Sequence, residues 1–178
     1  MVKKLKTWEL NRPELKEYKN QEKIPVVGIL DNIRSAMNVG AFFRTADAFA
    51  IQKLILCGIT AKPPHKEITK TAIGATESVD WAYCEDITEI IRTLVKQDYT
   101  IISIEQTNES IALHDLPISK HKKYALIFGN EVDGVSEAAI SLSNLCLEIP
   151  QYGTKHSLNV SVCGGVVFWE FSKHYRIN

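Results

Sequence analysis

Apolar and polar positions along this chain alternate between short apolar runs and longer segments with helical spacing. The short runs predict six β-strands, at Pro25–Leu30, Lys53–Cys57, Asp80–Cys84, Tyr99–Ile104, Tyr124–Phe128 and Leu145–Ile149. The longer segments predict five α-helices, at Met37–Phe49, Lys66–Ala72, Ile87–Gln97, Ser136–Leu142 and Ser157–His174. Several strands are apolar almost throughout, which is typical of a parallel sheet covered on both faces. The pattern therefore predicts an α/β domain with a mainly parallel sheet flanked by helices.

The first 23 residues differ from the rest because they carry seven basic and four acidic side chains. Asn11 followed by Arg12 and Pro13 predicts a helix with the proline in its first turn. This stretch contains no apolar core of the kind found in secretory signals. We therefore expect residues 1–23 to form a basic N-terminal arm and residues 24–178 to form the domain.

The composition of the chain restricts the classes of function that it can have. Lys and Arg together number 21, and so do Asp and Glu, so nucleic-acid binding would have to depend on local basic patches. No apolar run approaches the ~18 residues of a membrane-spanning helix. The cysteines lie far apart and no histidine stands at zinc-ligand spacing, which predicts reduced, buried thiols, no metal site and a cytoplasmic protein. These cysteines are Cys57, Cys84, Cys146 and Cys163.

The loop and helix after the first strand, residues 30–49, contain four polar side chains among small and apolar ones: Asn32, Arg34, Asn38 and Arg44. In this class of fold, ligands bind outside the carboxyl ends of the strands. Asn38 and Arg44 are six residues apart, so they share a site only if Asn38 lies at the mouth of the helix. A simpler interpretation is that one asparagine caps the helix and that Arg44 forms an exposed ion pair.

Two later loops also contain candidate site residues. In residues 128–136, Gly129 permits a ligand to approach the backbone closely, whereas two carboxylates, Glu131 and Asp133, are too few to predict a metal site. Residues 149–166 lead into a helix for which Ser157 is a suitable N-cap. Gly164 and Gly165 each cost about 1 kcal/mol against alanine, which predicts close approach of another helix of this chain or of a second copy.

These three segments together resemble the SpoU/TrmH family of SPOUT-class RNA 2′-O-ribose methyltransferases, and the likeness covers the chain from about Ile24 to its end. Residues 32–46 resemble the first motif of that family, residues 128–134 the second, and residues 149–162 the third. The resemblance implies an α/β knot fold in which the C-terminal portion forms a trefoil knot. It also implies a homodimer with the active site near the interface, and S-adenosylmethionine as the methyl donor.

Site residues follow from the resemblance by position. It implies polar catalytic-site residues at Asn38, Arg44, Glu131, Ser157 and Asn159. It implies cofactor contacts at Gly129, Ile149 and Leu158. Arg44 is the family's candidate for activating the ribose hydroxyl, but a guanidinium essentially never deprotonates. Phosphate binding and stabilisation of the developing alkoxide are therefore the roles we expect for Arg44.

The expected substrate is a tRNA or rRNA, with phosphates held by basic side chains on the dimer surface. The candidates for these contacts are Arg34, Lys62, Lys66, Lys70 and Lys155. The alternative is a non-catalytic RNA-binding module of the same fold, but such a module would be expected to lack at least one of the polar site residues. A dinucleotide-dependent oxidoreductase is disfavoured because no glycine-rich fingerprint follows the first strand.

Overall fold

The computed structural model describes residues 2–177, whose strands form one sheet with all neighbours parallel. The strands are β1 (Ile24–Asp31), β2 (Ile51–Cys57), β3 (Trp81–Cys84), β4 (Tyr99–Ile104), β5 (Ile111–Ala112), β6 (Lys123–Phe128) and β7 (Leu145–Glu148). Their order across the sheet is β3-β2-β1-β6-β4-β7-β5. The predicted α/β class and the six predicted strands are confirmed. Strand β5 was not predicted, because two residues are too few for a periodic pattern.

In the described part of the chain, the α-helices that accompany the sheet are α1 (Leu15–Asn20), α2 (Ala36–Ala48), α3 (Lys66–Ala72), α4 (Ala75–Ser78), α5 (Ile87–Lys96), α6 (Glu137–Leu142) and α7 (Val160–Arg176). Successive side chains of β1 point to opposite faces of the sheet. Val26 and Leu30 join the apolar cluster under α2, α3 and α7, whereas Val27 and Ile29 join the cluster under α5 and α6. Both faces are therefore buried, which explains why the strand sequences are apolar almost throughout.

Helix α7 lies close to the sheet because two glycines leave room for aromatic rings. A Cβ on Gly28 of β1 would lie 2.8 Å from the ring of Phe168, and one on Gly164 would lie 2.2 Å from the ring of Phe42. Those two rings and Phe128 form a buried cluster with centroids 5.0–6.0 Å apart. The close approach predicted at Gly164 is thus made within the chain, by α2. A Cβ on Gly165 would meet nothing nearer than Thr45 Cγ2 at 4.0 Å.

The N-terminal arm packs against the body of the protein through α1. Tyr18 is only 7% exposed, and its hydroxyl donates to the carbonyl oxygen of Asp47 at 2.9 Å. The Arg176 side chain of α7 donates to the Glu22 carbonyl oxygen at 2.8 Å. The predicted helix with Pro13 in its first turn is wrong: α1 begins at Leu15, and its N-cap Glu14 has an extended backbone, φ −69° and ψ 161°.

The predicted start of the last helix is also wrong by three residues. Asn159, not Ser157, is the N-cap, and its side-chain oxygen accepts from the Ser161 and Val162 amides at 2.9 and 3.3 Å. Asparagine caps a helix as well as serine does, so the sequence alone did not distinguish the two positions. Ser157 lies instead in the loop formed by residues 149–159.

Two further findings bear on the expectations from composition. All four cysteines are free, and Cys57 is buried whereas the other three are partly exposed. None of the helices described between residues 2 and 177 is long and apolar enough to cross a membrane.

The glycine contacts generate a prediction about stability. Gly164→Ala should lower the free energy of unfolding by about 1–3 kcal/mol, because the new methyl group meets the buried Phe42 ring. Gly165→Ala is the matched control, and its higher helix propensity should leave stability equal or improved. Urea unfolding of both variants at the same protein concentration measures the difference. Equal losses for the two variants would contradict this packing account.

Candidate active site

The segments that carry the three motifs converge at the carboxyl edge of the sheet, around a cavity of about 630 Å³. Of the predicted site residues, those lining this cavity are Gly129, Glu131, Ile149, Ser157, Leu158 and Asn159. They come from two loops, one after β6 and one after β7, and 18 positions separate Glu131 in the first from Ile149 in the second. The expected convergence of the second and third motifs is therefore confirmed. The first motif joins them through Asn38, which bonds to both.

Glu131 links the loop after β6 to the start of α2. Its carboxylate accepts hydrogen bonds from the Arg34 amide at 2.8 Å and the Ser35 amide at 3.0 Å. The Asn38 side-chain amide donates to the same carboxylate at 2.8 Å. An acidic group at a helix N-terminus also interacts favourably with the helix dipole. Three donors from the first motif thus converge on one carboxylate of the second.

These contacts determine the protonation state of Glu131. Partial burial alone would raise its pKa, but the hydrogen bonds from Arg34, Asn38 and Ser35 outweigh burial and hold the pKa below its usual value. The carboxylate is therefore ionised at neutral pH and acts as an acceptor. Because the folded-state pKa is lowered, the stabilisation is present above the ordinary pKa of glutamate and is lost as the pH falls through the lowered value.

Asn38 and Asn159 extend this network to the third motif. Asn38 lies in the first turn of α2, where its amide donates to the capping hydroxyl of Ser35 at 3.3 Å. The Asn159 side-chain amide donates to Asn38 Oδ1 at 3.2 Å. Asn159 is also the N-cap of α7, so one side chain starts a helix and connects two motifs. Glu131, Asn38 and Asn159 form a continuous polar chain at the edge of the cavity.

The loop after β6 has a shape that only glycine permits at its first position. A Cβ on Gly129 would lie 2.1 Å from the backbone of Gly134 and Val135. Asn130 closes the loop, since its side-chain oxygen accepts from the Val132 amide at 2.8 Å while its side-chain nitrogen donates to the Asn32 carbonyl at 2.7 Å. Gly129 therefore brings its backbone to the cavity, and Asn130 anchors the turn to the first motif.

Glu105 is a site residue that the sequence analysis missed. It follows β4 at the carboxyl edge and accepts from the Val135 amide at 2.9 Å and from its neighbour Gln106 at 2.9 Å. Its carboxylate thus supports the far end of the loop that Gly129 begins. In the sequence, Glu105 is marked only as an acidic residue directly after a buried strand, and it belongs to none of the three motifs.

The cavity combines apolar walls with negative charge. Its apolar lining includes Ile149, Leu158 and Val160, and its carboxylates are Glu105, Glu131, Asp133, Glu137 and Glu148. No lysine or arginine is among the lining side chains of this part of the chain. Burial, with a further contribution from the charge of Glu105, raises the pKa of Cys163 to about 12, so this thiol stays protonated. An elongated ligand with positive charge and an apolar portion fits this lining.

Arg44 lies apart from the cavity within one chain. It is exposed and lines a separate groove of about 690 Å³, together with Arg12 of the arm and Arg176 of α7. Glu131 and Asn38 form no hydrogen bond with Arg44, so the single catalytic site implied for the three residues by the resemblance is not formed within one chain. The reason is helical geometry: six residues along α2 place Asn38 and Arg44 on different faces.

The predicted basic residues are all exposed. Arg34 is in the loop after β1, Lys62 is in the loop after β2, and Lys66 and Lys70 lie one turn apart on α3. Lys155 lies in the loop of residues 149–159. Within residues 2–177, no group of three or more potential metal ligands is found.

Comparison with known proteins identifies a family model and several relatives that match this chain. Residues 25–169 match the family model described as the SpoU rRNA Methylase family. The chain is 32% identical over 152 residues to the 23S rRNA (guanosine-2′-O-)-methyltransferase RlmB of Neisseria meningitidis, which covers 85% of this chain and 59% of that protein. It is 27% identical over 176 residues to the tRNA (guanosine(18)-2′-O)-methyltransferase of Aquifex aeolicus, covering 96% and 79%. The chain thus spans less than two thirds of the Neisseria protein.

Solved structures share the fold. The A. aeolicus TrmH/SpoU tRNA modifying enzyme superposes with a TM-score of 0.80 at 23% identity, covering 90% of this chain and 80% of that one. The AdoMet-bound rRNA methyltransferase of Sinorhizobium meliloti also gives 0.80, at 22% identity, covering 90% and 61%. The family model covers most of the chain and includes all three motifs. This chain belongs to the SpoU rRNA methylase family.

Proposed function

We propose that this protein transfers a methyl group from S-adenosylmethionine to a ribose 2′-hydroxyl of tRNA or rRNA. The observation that carries the proposal is the polar chain of Glu131, Asn38 and Asn159 beside the cavity, because it unites all three motifs in one site. The relatives named above are 2′-O-methyltransferases of rRNA and tRNA, which supports the same activity. Residues 24–178 form the methyltransferase domain in this proposal, and residues 1–23 form its N-terminal arm.

The cavity fits the proposed methyl donor. Its volume of about 630 Å³ lies within the range of small-molecule sites. The absence of a side chain at Gly129 exposes backbone for hydrogen bonding, and Ile149 and Leu158 offer apolar contact to an adenine ring. S-adenosylmethionine, when bound, supplies a methyl group activated by a positively charged sulfur, and the carboxylates around the cavity complement that charge.

The chain's own residues have separate roles in this mechanism. Glu131 stays ionised and holds the start of α2, which places Asn38 beside the ribose. Ser157 and Asn159 hold the loop that closes the cavity. Arg44 supplies a fixed positive charge that binds the neighbouring phosphate and stabilises the alkoxide as it develops, because a guanidinium does not accept a proton. Alignment of the hydroxyl with the methyl group supplies much of the acceleration.

A homodimer brings Arg44 to the cavity in this proposal. Three exposed apolar side chains form a stripe on α7: Val162, Val166 and Trp169 are 53%, 40% and 48% exposed. They are spaced four and three residues apart, so they share one face. The cavity lies at the N-terminal end of this stripe, through Val160 and Cys163, and the groove with Arg44 lies at its C-terminal end, through Ser172 and Arg176. Antiparallel pairing of α7 about a two-fold axis places the cavity beside Arg44 of the partner subunit.

The activity is tested by incubating the protein with total RNA and a donor labelled on its methyl group. Wild-type protein should label RNA at ribose 2′-oxygens, mapped by resistance to alkaline hydrolysis.

Arg44→Lys keeps the charge and loses the forked geometry, so the methylation rate should fall at least about tenfold with donor affinity unchanged. The control is Arg92→Lys on α5, which packs on the face of the sheet opposite to α2. Donor binding without labelled RNA would favour a binding module, and near-full activity of Arg44→Lys would exclude the bidentate role.

Glu131→Gln tests the polar chain. The amide keeps the size of the side chain but replaces one of its two acceptor oxygens by a donor, so the Arg34, Ser35 and Asn38 bonds cannot all form. We expect the methylation rate to fall about 100-fold, in line with the loss of a positioned polar contact at an active site. Glu89→Gln on α5 should be unaffected. Equal rates for both variants in single-turnover measurements would contradict the role of Glu131.

The dimer is tested with Val166→Glu. A carboxylate buried in the apolar stripe without a partner strongly opposes association, so the variant should sediment as a monomer at micromolar concentration. It should also lose methylation, because Arg44 of the partner subunit is removed. The control is Val95→Glu, which changes a valine of α5 at the other face of the sheet that is 50% exposed. A monomeric wild type, or a monomeric variant with full activity, would overturn the composite site.

A further inference from the structure

Tyr83 of strand β3 is paired with Lys62 of the loop after β2, outside the site described above. Lys62 Nζ lies 3.7 Å from the centre of the Tyr83 ring, and the tyrosine is 38% exposed. The hydroxyl of Tyr83 donates to the Gly58 carbonyl oxygen at 3.0 Å, which holds the ring in place. The sequence analysis singled out Lys62 only as one of several basic residues, and no motif includes Tyr83.

Strand order sets the distance between this pair and the proposed methylation site. Strand β3 is at the edge of the sheet, two strands from β1 and three from β6. Neighbouring strands are about 4.8 Å apart, so Tyr83 lies roughly 10–15 Å from the loops that carry Arg34 and Glu131. A chain of RNA that places one ribose at the cavity reaches this far within a few nucleotides.

The loops between the two places are joined by hydrogen bonds. The Ile59 amide donates to Asn32 Oδ1 at 3.1 Å, and the Ile33 amide donates to Thr60 Oγ1 at 2.9 Å. The next residue, Arg34, bonds to Glu131. The loop after β2, which carries Lys62, is thereby tied to the loop that forms the catalytic network. Hydrogen bonds therefore connect the loop around the Tyr83 ring, through the loop after β1, to Glu131 at the cavity.

Charge on this surface is arranged for a polyanion. Lys66 and Lys70 lie one turn apart on α3, Lys62 lies four residues before Lys66, and Arg34 lies in the loop after β1; all four side chains are exposed. Among residues 2–177, none of these four side chains forms a salt bridge. The nearby acid Asp86 accepts from the Thr88 amide and hydroxyl at the start of α5, so its carboxylate is held at that helix N-terminus.

We propose that Tyr83, with Lys62 above its ring, is a stacking platform for an unpaired nucleobase a few nucleotides from the methylated ribose. Proteins that bind single-stranded RNA combine aromatic faces for the bases with basic side chains for the phosphates. Here the entering base stacks on the tyrosine ring, and Lys62 moves to the adjoining phosphate. The inference rests on the proposed function, since it assigns part of the RNA substrate to a second place on the same edge.

The test compares Tyr83→Leu with Tyr83→Phe, using fluorescence anisotropy with a labelled single-stranded oligoadenylate and, separately, total tRNA. Leucine removes the aromatic face, so oligoadenylate affinity should fall about tenfold. Phenylalanine keeps that face and should retain most of the affinity. The slope of affinity against salt should be the same for wild type and Tyr83→Leu, because no charge is removed, whereas Lys62→Ala should lower that slope.

Other measurements separate this inference from the proposed function. Donor binding and sedimentation of Tyr83→Leu should match wild type, which excludes a general effect on folding. If the wild type methylates RNA and Tyr83→Leu binds oligoadenylate and methylates RNA equally well, the platform is overturned and the proposed function stands. If Tyr83→Phe loses as much affinity as Tyr83→Leu, the hydroxyl bond to Gly58 is responsible and the platform is again overturned. A wild type that neither binds nor methylates RNA overturns both.

Discussion

The carboxylate of Glu131 at the start of α2 is the contact on which the site depends. It accepts two backbone amides and the side chain of Asn38, residues 93 to 97 positions earlier in the chain. Without it, the described residues contain no direct side-chain link between the loop after β6 and the first turn of α2, because Asn130 reaches only Asn32, three residues before the N-cap Ser35. Since the same carboxylate holds Asn38, and Asn38 bonds to Asn159, one ionised group links all three motifs.

The packing of the core beneath the site allows Asn159 to reach the other two motifs. Helix α7 reaches the carboxyl edge with its N-cap, Asn159, only because Gly28 and Gly164 let it lie directly on β1 and α2. The rings of Phe42, Phe128 and Phe168 are packed against one another beneath the site. Because protein interiors are close-packed, a small change in side-chain volume there would shift α7. The core therefore positions Asn159, and the polar chain at the surface depends on buried glycines that contact no ligand.

Much of this arrangement was predictable from local pattern. Buried parallel strands have continuous apolar runs, so β1, β4 and β6 were found within one or two residues of their ends. The three motifs were recognised by resemblance, and Gly129, Glu131, Ile149, Ser157, Leu158 and Asn159 do line one cavity. The start of α7 was missed because serine and asparagine are equally good caps, and Glu105 was missed because its partner, the Val135 amide, is 30 residues away.

The sequence by itself determined the alternation of strand and helix, the burial of both sheet faces and the residue types available to the site, because these depend on local spacing and side-chain chemistry. Only the tertiary structure decided that Glu131 bonds to the start of α2, that Asn159 starts α7, and that Arg44 faces a different groove from the cavity. The spacing along α2 places Asn38 and Arg44 on different faces of that helix, but the distant segments that each face meets depend on long-range packing, which the spacing of residues along the chain does not encode.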